Sequence, residues 1–317
     1  MVDKNAKNLA IIDLGSNTAI LLIFQNSPLF KVIHEEYRSP RLSQGLRHGG
    51  PINLDALSRT CDDLKQLNEI ISDYQATLVS CAGTAPFRKV DAPKKLIDNI
   101  FERTGIRVTI LSQMQEAYAS YLAALQVPTS AATLPQVGHA LVMDIGGGSC
   151  ELCWGLLDQM SGYHSVAQGC VDLTECYLPE QLNPHGCSTS ANMEALRQAF
   201  VRQLPKISLQ PSTLMYAVAG TPVSVALLEA KIYRHQPHLV DGARLTLQML
   251  DAWQQRLATT SLEEKISHYG IPAGRAGVLL AGIIVLSATM RYFGLSEVIA
   301  RNSGLRHGLA LQCKNAG

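Results

Sequence analysis

The sequence predicts an α/β protein of two similar domains, each built on a mixed sheet flanked by helices. Three observations predict it. Strands alternate with helices along the chain, a stretch rich in Pro, Ser, Thr and Gly interrupts the alternation, and one strand–turn–strand signature occurs on either side of that interruption. The length of 317 residues fits two medium domains.

Each element has its own signal. Residues 8–13 read as a buried strand, 19–24 as its hairpin partner and 31–37 as a third strand. Leu57, Cys61, Leu64, Leu67, Ile71 and Tyr74 then recur at helical spacing, behind Asn53, a residue type that caps helix N-termini. A strand over 77–81, a helix near 94–103, a strand over 108–111 and a helix over 114–125 complete the first half. Residues 127–138 have the composition of a linker and place the domains at 1–128 and 129–317. The programme then restarts with strands over 140–144 and 150–155. A turn-rich stretch at 183–190, a helix over 191–203 and a strand over 214–219 follow. The remainder reads as mainly helical, with a last strand near 297–301 and a final helix that can pack back on the first domain.

Composition narrows the function classes. With 47% hydrophobic and 17% charged residues, the chain can bury sizeable cores and does not resemble a disordered one. A net charge of +1 predicts neither a nucleic-acid coat nor a membrane-surface binder. The first nine residues lack the apolar core of a signal peptide. The apolar run 276–290 lies between Arg275 and Arg291 and contains Ser287 and Thr289. It is shorter than the ~20 residues needed to cross a bilayer, so it reads as a buried helix. Of eight cysteines, Cys150 and Cys153 form a lone C-x-x-C. They fall in a predicted strand, where residues three apart face opposite ways, so reduced cytoplasmic thiols are expected rather than a zinc site. His34, His48 and His307 show no metal spacing.

The chemistry lies in the restart. Asp13-Leu14-Gly15-Ser16-Asn17-Thr18 and Asp144-Ile145-Gly146-Gly147-Gly148-Ser149 align position by position, about 130 residues apart. Such turns let consecutive backbone N–H groups converge into an anion nest, and Ser16, Thr18 and Ser149 add hydroxyls. Asp13 and Asp144 stand at the mouths of the turns, where a carboxylate would repel a bound phosphate unless a cation lay between them. Mg²⁺ or another divalent cation suits that place. Ala219-Gly220-Thr221 closes a strand and opens a helix, a third anion-facing element. Two related halves that each offer such a loop predict a site in a cleft between the domains.

These residues resemble the exopolyphosphatase / guanosine pentaphosphate phosphohydrolase family, within the actin-like (ribonuclease H-like) superfamily. The resemblance runs through DLGSNT at 13–18, GTAPFR at 83–88, LSQMQEA at 111–117, DIGGGSCEL at 144–152, GCVDLTE at 169–175, AGT at 219–221 and SGLRHG at 303–308. It implies Glu116 as catalytic base, Asp144 and Glu151 around a divalent metal and the attacking water, and Arg88 on phosphate oxygens. It implies release of the terminal phosphate from polyphosphate or a phosphorylated guanosine nucleotide, in the cytoplasm, and allows a homodimer. Arg306 is open between a domain-closing and a phosphate contact. The chain departs from the family pattern at Ile20, Gln113, Gln115, Tyr118 and Asp172. Two alternatives follow: a non-catalytic sensor of guanosine penta- or tetraphosphate, and an ATP-using small-molecule kinase.

Overall fold

Apolar runs bounded by Gly, Ser and Asn set the strands, and helices with one apolar face cover them. The computed structural model describes residues 7–25, 30–46, 49–128, 138–157, 159–234 and 236–315. The first six residues, His48 and most of the 127–138 stretch lie outside them. The chain divides into two units, 1–123 with 305–317, and 124–304. The sequence places its single boundary at 128/129. Arg301, fully buried, donates to the carbonyls of Ala124 and Val127 and pairs with Asp241 at 3.0 Å, which ties residues 124–127 to the second unit.

The first unit holds β1 (Asn8–Leu14), β2 (Ala19–Gln25), β3 (Lys31–Arg38), α1 (Leu54–Asp73), β4 (Thr77–Gly83), α2 (Ala85–Lys89), α3 (Pro93–Thr104), β5 (Thr109–Ile110) and the start of α4 (Gln113–Gln126). Its sheet has the order β3-β2-β1-β4-β5. The β1–β2 and β2–β3 pairs are antiparallel, whereas β1–β4 and β4–β5 are parallel. Alternate residues of a strand face opposite sides of a sheet. Accordingly Ala10, Ile12 and Leu14 join Leu57, Leu64 and Ile100 of α1 and α3, while Ile11, Leu22 and Phe24 turn the other way onto Ala310. Asn53 caps α1 as expected, its side chain accepting from the N–H groups of Asp55 and Ala56.

The second unit holds β6 (His139–Ile145), β7 (Cys150–Leu156), β8 (Gln159–Val166), α5 (Cys170–Tyr177), α6 (Ser190–Val201), β9 (Leu214–Val218), α7 (Gly220–Glu229), β10 (Arg244–Thr246), α8 (Leu247–Thr259), α9 (Leu262–Ser267), α10 (Ala273–Ala276), α11 (Leu279–Tyr292) and β11 (Glu297–Ala300). The last helix, α12 (Leu305–Asn315), returns to the first unit and packs on β1 and β2. The second sheet has the order β10-β11-β9-β6-β7-β8. Its β8-β7-β6-β9-β11 portion repeats β3-β2-β1-β4-β5 in both order and strand direction. The duplicated loops thus belong to a duplicated fold. The apolar run forms α11, buried from Leu279 to Met290, and no described helix is long and apolar enough to cross a membrane.

Candidate functional site

The two matched loops close in the same way. The Gly15 N–H donates to Thr18 O at 2.9 Å, and the Gly146 N–H donates to Ser149 O at 3.0 Å. A Cβ on Gly146 would come within 2.8 Å of Ser149 O, so the tight turn requires glycine there. Each loop is stapled from outside. In the first unit, Arg41 and Ser43 donate their N–H groups to the carbonyls of Asn17 and Ser16. In the second, the first N–H groups of α5, from Cys170 and Val171, donate to Gly146 O and Gly147 O at 2.9 and 2.8 Å. A Cβ on Gly169 would sit 2.3 Å from the Gly147 carbonyl carbon. Loop carbonyls are therefore engaged behind the turn, which leaves the Gly, Ser and Asn amides to define the front.

Glu116 lies in the first turn of α4 and is only 7% exposed. Its carboxylate pairs with Arg88 of α2 at 2.8 Å, and the same Arg88 nitrogen donates to Leu111 O at 2.9 Å. The two residues expected to act on one phosphate thus meet in one unit. Gln115 also has a local task. Its side chain accepts from the Ser112 N–H at 2.9 Å, while the Ser112 hydroxyl accepts from the Gln115 N–H. This is a reciprocal cap of α4. Asp172 similarly accepts the Gly169 N–H at 3.0 Å at the start of α5. Both departures from the family pattern are helix-start caps. Nothing in the structure explains Tyr118, which is exposed.

Asp144 and Glu151 are directly opposed in the antiparallel β6–β7 ladder, which places their side chains on one face as neighbours. Both are buried, and the Ser165 hydroxyl donates to Glu151 Oε1 at 3.0 Å. Adjacent buried carboxylates disfavour joint ionisation unless a cation joins them. Among the described residues, no group of three or more His, Cys, Asp or Glu side chains could hold a metal alone. The pair fits a hard ion such as Mg²⁺, which binds through one or two carboxylates and completes its shell with water and phosphate oxygens. Asp13, the third metal candidate, is the penultimate residue of β1 in the other unit, in register with Ile20 and Ala82.

The third loop holds a residue that the sequence reading did not single out. A Cβ on Gly220 would fall 0.8 Å from an Arg275 guanidinium nitrogen, so the Arg275 guanidinium packs against Gly220 at the start of α7, which continues with the buried Thr221. No spacing rule links residues 220 and 275, and only folding brings them together. Ala219, just before, has φ 70° and ψ −164°, a region otherwise used almost only by glycine. Arg306 is engaged inside the first unit, where its Nε donates to Glu35 at 2.6 Å and its Nη2 to the Tyr37 hydroxyl at 3.1 Å. The buried thiols are inert. Burial, then the Asp13 charge, pushes Cys81 up to about 12, and burial chiefly pushes Cys170 up to about 11. None of the eight cysteines, all among the described residues, forms a disulfide, and Cys150 and Cys153 are both buried in β7.

Comparison with known proteins identifies the family and the fold. The model of the Ppx/GppA phosphatase family matches residues 22–315. A guanosine-5'-triphosphate,3'-diphosphate pyrophosphatase of Vibrio cholerae is 25% identical over 306 residues, which cover 96% of this chain and 58% of that protein. The chain thus spans less than two thirds of that relative's length. An Aquifex aeolicus member of the Ppx/GppA family has a crystal structure that superposes with a TM-score of 0.77, at 24% identity and 98% coverage of both chains. An exopolyphosphatase structure from Cytophaga hutchinsonii gives a TM-score of 0.84 at 20% identity, again with 98% coverage of both. At these identities the two structures establish the fold.

Proposed function

The chain belongs to the Ppx/GppA phosphatase family, and from that premise we propose that it hydrolyses the terminal phosphoanhydride bond of short polyphosphates or of guanosine pentaphosphate. The observation that carries the reading is the pairing of the half-buried Arg88 with the buried Glu116, a cation and a base 2.8 Å apart in a family of phosphatases. Phosphoryl transfer asks little covalent chemistry of a protein. It requires an aligned water, neutralised oxygens and positioning.

In the proposed step a water oxygen attacks the terminal phosphorus in line with the bridging oxygen. The P–O bridge breaks, its electron pair leaves with the shortened chain, and the water proton passes to Glu116. Arg88 has guanidinium N–H groups beyond the one on Glu116 and Leu111, and these face the charge developing on the transferred phosphoryl oxygens. The amides of each glycine loop, and Arg275 beside the third, would bind phosphate oxygens. Asp144 and Glu151 would hold a divalent ion, which when bound neutralises phosphate oxygens. The local capping roles of Gln115 and Asp172 support an enzyme over an eroded sensor, because neither substitution dismantles the Arg88–Glu116 pair.

Phosphate release from tripolyphosphate and from guanosine pentaphosphate, with Mg²⁺, tests this reading. Glu116→Gln keeps the shape and removes the base, so release is expected to fall about 10²–10⁴-fold with the fold intact by circular dichroism. Turnover within a few-fold of wild type would remove Glu116 from the mechanism.

A further inference from the structure

We propose that the turn at 40–46 adds a phosphate-holding pair to the first loop, the Arg41 guanidinium and the Ser43 hydroxyl. The inference rests on the reading that the first loop holds substrate phosphates. The turn runs beside that loop and is fixed to it at two points, with the Arg41 N–H on Asn17 O at 3.2 Å and the Ser43 N–H on Ser16 O at 2.9 Å. It is closed on itself by the Gln44 and Leu46 N–H groups, which donate to Arg41 O and Ser43 O at 2.9 Å each. Leu42, fully buried, anchors it in the core of the first unit.

Three features of this turn point to a ligand. Ser16 and Ser43 are each 3% exposed, and among the described residues neither hydroxyl has a hydrogen-bond partner. Buried hydroxyls are ordinarily bonded, and here two orphans occur on directly bonded segments. Arg41 is half-buried, and its guanidinium has no ion pair among the described residues. Its backbone has φ 56°, the left-handed region that side-chain-bearing residues avoid. Gln75 and Lys231 share a positive φ, but each follows the end of a helix, where that conformation is ordinary. Arg41 ends no helix. A glycine would relax this turn, yet the position holds a cation with no ion pair among the described residues, on a turn whose backbone is bonded to the first loop and which shares with it two orphan hydroxyls; these are residue types that take phosphate oxygens. The charge missing at Ile20, within the β2 hairpin partner, is thereby supplied from the neighbouring turn.

The test uses the full chain and its Arg41→Gly and Ser43→Ala variants, with tripolyphosphate binding followed by calorimetry and unfolding by thermal melts. Arg41→Gly removes the cation and relieves the left-handed strain, so its melting temperature should rise while affinity falls about tenfold. Ser43→Ala removes an orphan hydroxyl, so its melting temperature should hold or rise while affinity falls several-fold. Arg41→Lys, with the charge retained, should recover part of the loss. Wild-type affinity in both Arg41→Gly and Ser43→Ala would overturn the proposal, as would a marked drop in melting temperature for Ser43→Ala, which would show the hydroxyl bonded within the protein. If the wild type binds tripolyphosphate through Arg41 without releasing phosphate, the hydrolase reading fails and the turn proposal stands. Hydrolysis with variants that match wild type defeats the turn alone. No tripolyphosphate binding by wild type overturns both.

Discussion

Ala219 sits at the entrance of α7 with φ 70° and ψ −164°, and replacing it with glycine should stabilise the protein. A residue with a Cβ in this region costs about 1–3 kcal/mol, because the side chain crowds the adjoining peptide groups. Glycine removes that cost but frees the unfolded chain, which returns about 0.4–1 kcal/mol. The net expected gain is therefore roughly 0.5–2 kcal/mol. For a unit of this size, each kcal/mol raises the melting temperature by about 2–4 °C. Urea unfolding of wild type and Ala219→Gly, followed by far-ultraviolet circular dichroism, reads the difference as a shift in midpoint at constant slope. An unchanged or lower midpoint would refute the strain argument and imply that the Ala219 methyl makes contacts worth more than the conformation costs.

Other perturbations follow from the same geometry. Gly220→Ala places a methyl where Arg275 lies; the guanidinium must move, so tripolyphosphate affinity should fall about tenfold with little change in melting temperature, and calorimetry checks it. Asp144→Asn removes one of two opposed carboxylates and should raise the Mg²⁺ concentration needed for half-maximal phosphate release by about tenfold or more, read from a Mg²⁺ titration; an unshifted titration would exclude Asp144 as a metal ligand. Lys265 of α9 is buried and donates to Gln181, and burial pushes its amine down to about 8 from an ordinary 10.5. Between those values the unfolded chain binds more protons than the folded one, so stability rises with pH in that window. Relative to Lys265→Met, the wild type should gain up to ~3 kcal/mol from pH 8 to pH 10.5, measured by urea unfolding at each pH; parallel curves would contradict it.

Much of this was legible in the sequence because burial enforces periodicity. The first two strands of each half, α1 with its Asn53 cap, and α11 all carry apolar runs or stripes that read directly. β8 did not, because Gln159–Val166 is polar along much of its length and only its pairing with β7 makes it a strand. α2 was missed as well, since five residues opening on Ala85-Pro86 give no helical period. Among the candidate site residues, the matched loops were visible as spacing, whereas the roles proposed for Glu116 and Arg88 rest on resemblance. Arg275 against Gly220, and Arg41 and Ser43 against the first loop, arise from tertiary contact alone. Arg306 shows the converse: a motif residue whose charge is taken up by Glu35 and Tyr37 within its own unit.

The most direct measurement is to turn the protein over with tripolyphosphate and Mg²⁺ in ¹⁸O-labelled water and weigh the phosphate released. Attack by water predicts one solvent oxygen in every released phosphate, and labelled release lowered about 10²–10⁴-fold when Glu116 is replaced by Gln. Phosphate that leaves only as an unlabelled group on an added acceptor would contradict the account and establish a kinase in its place.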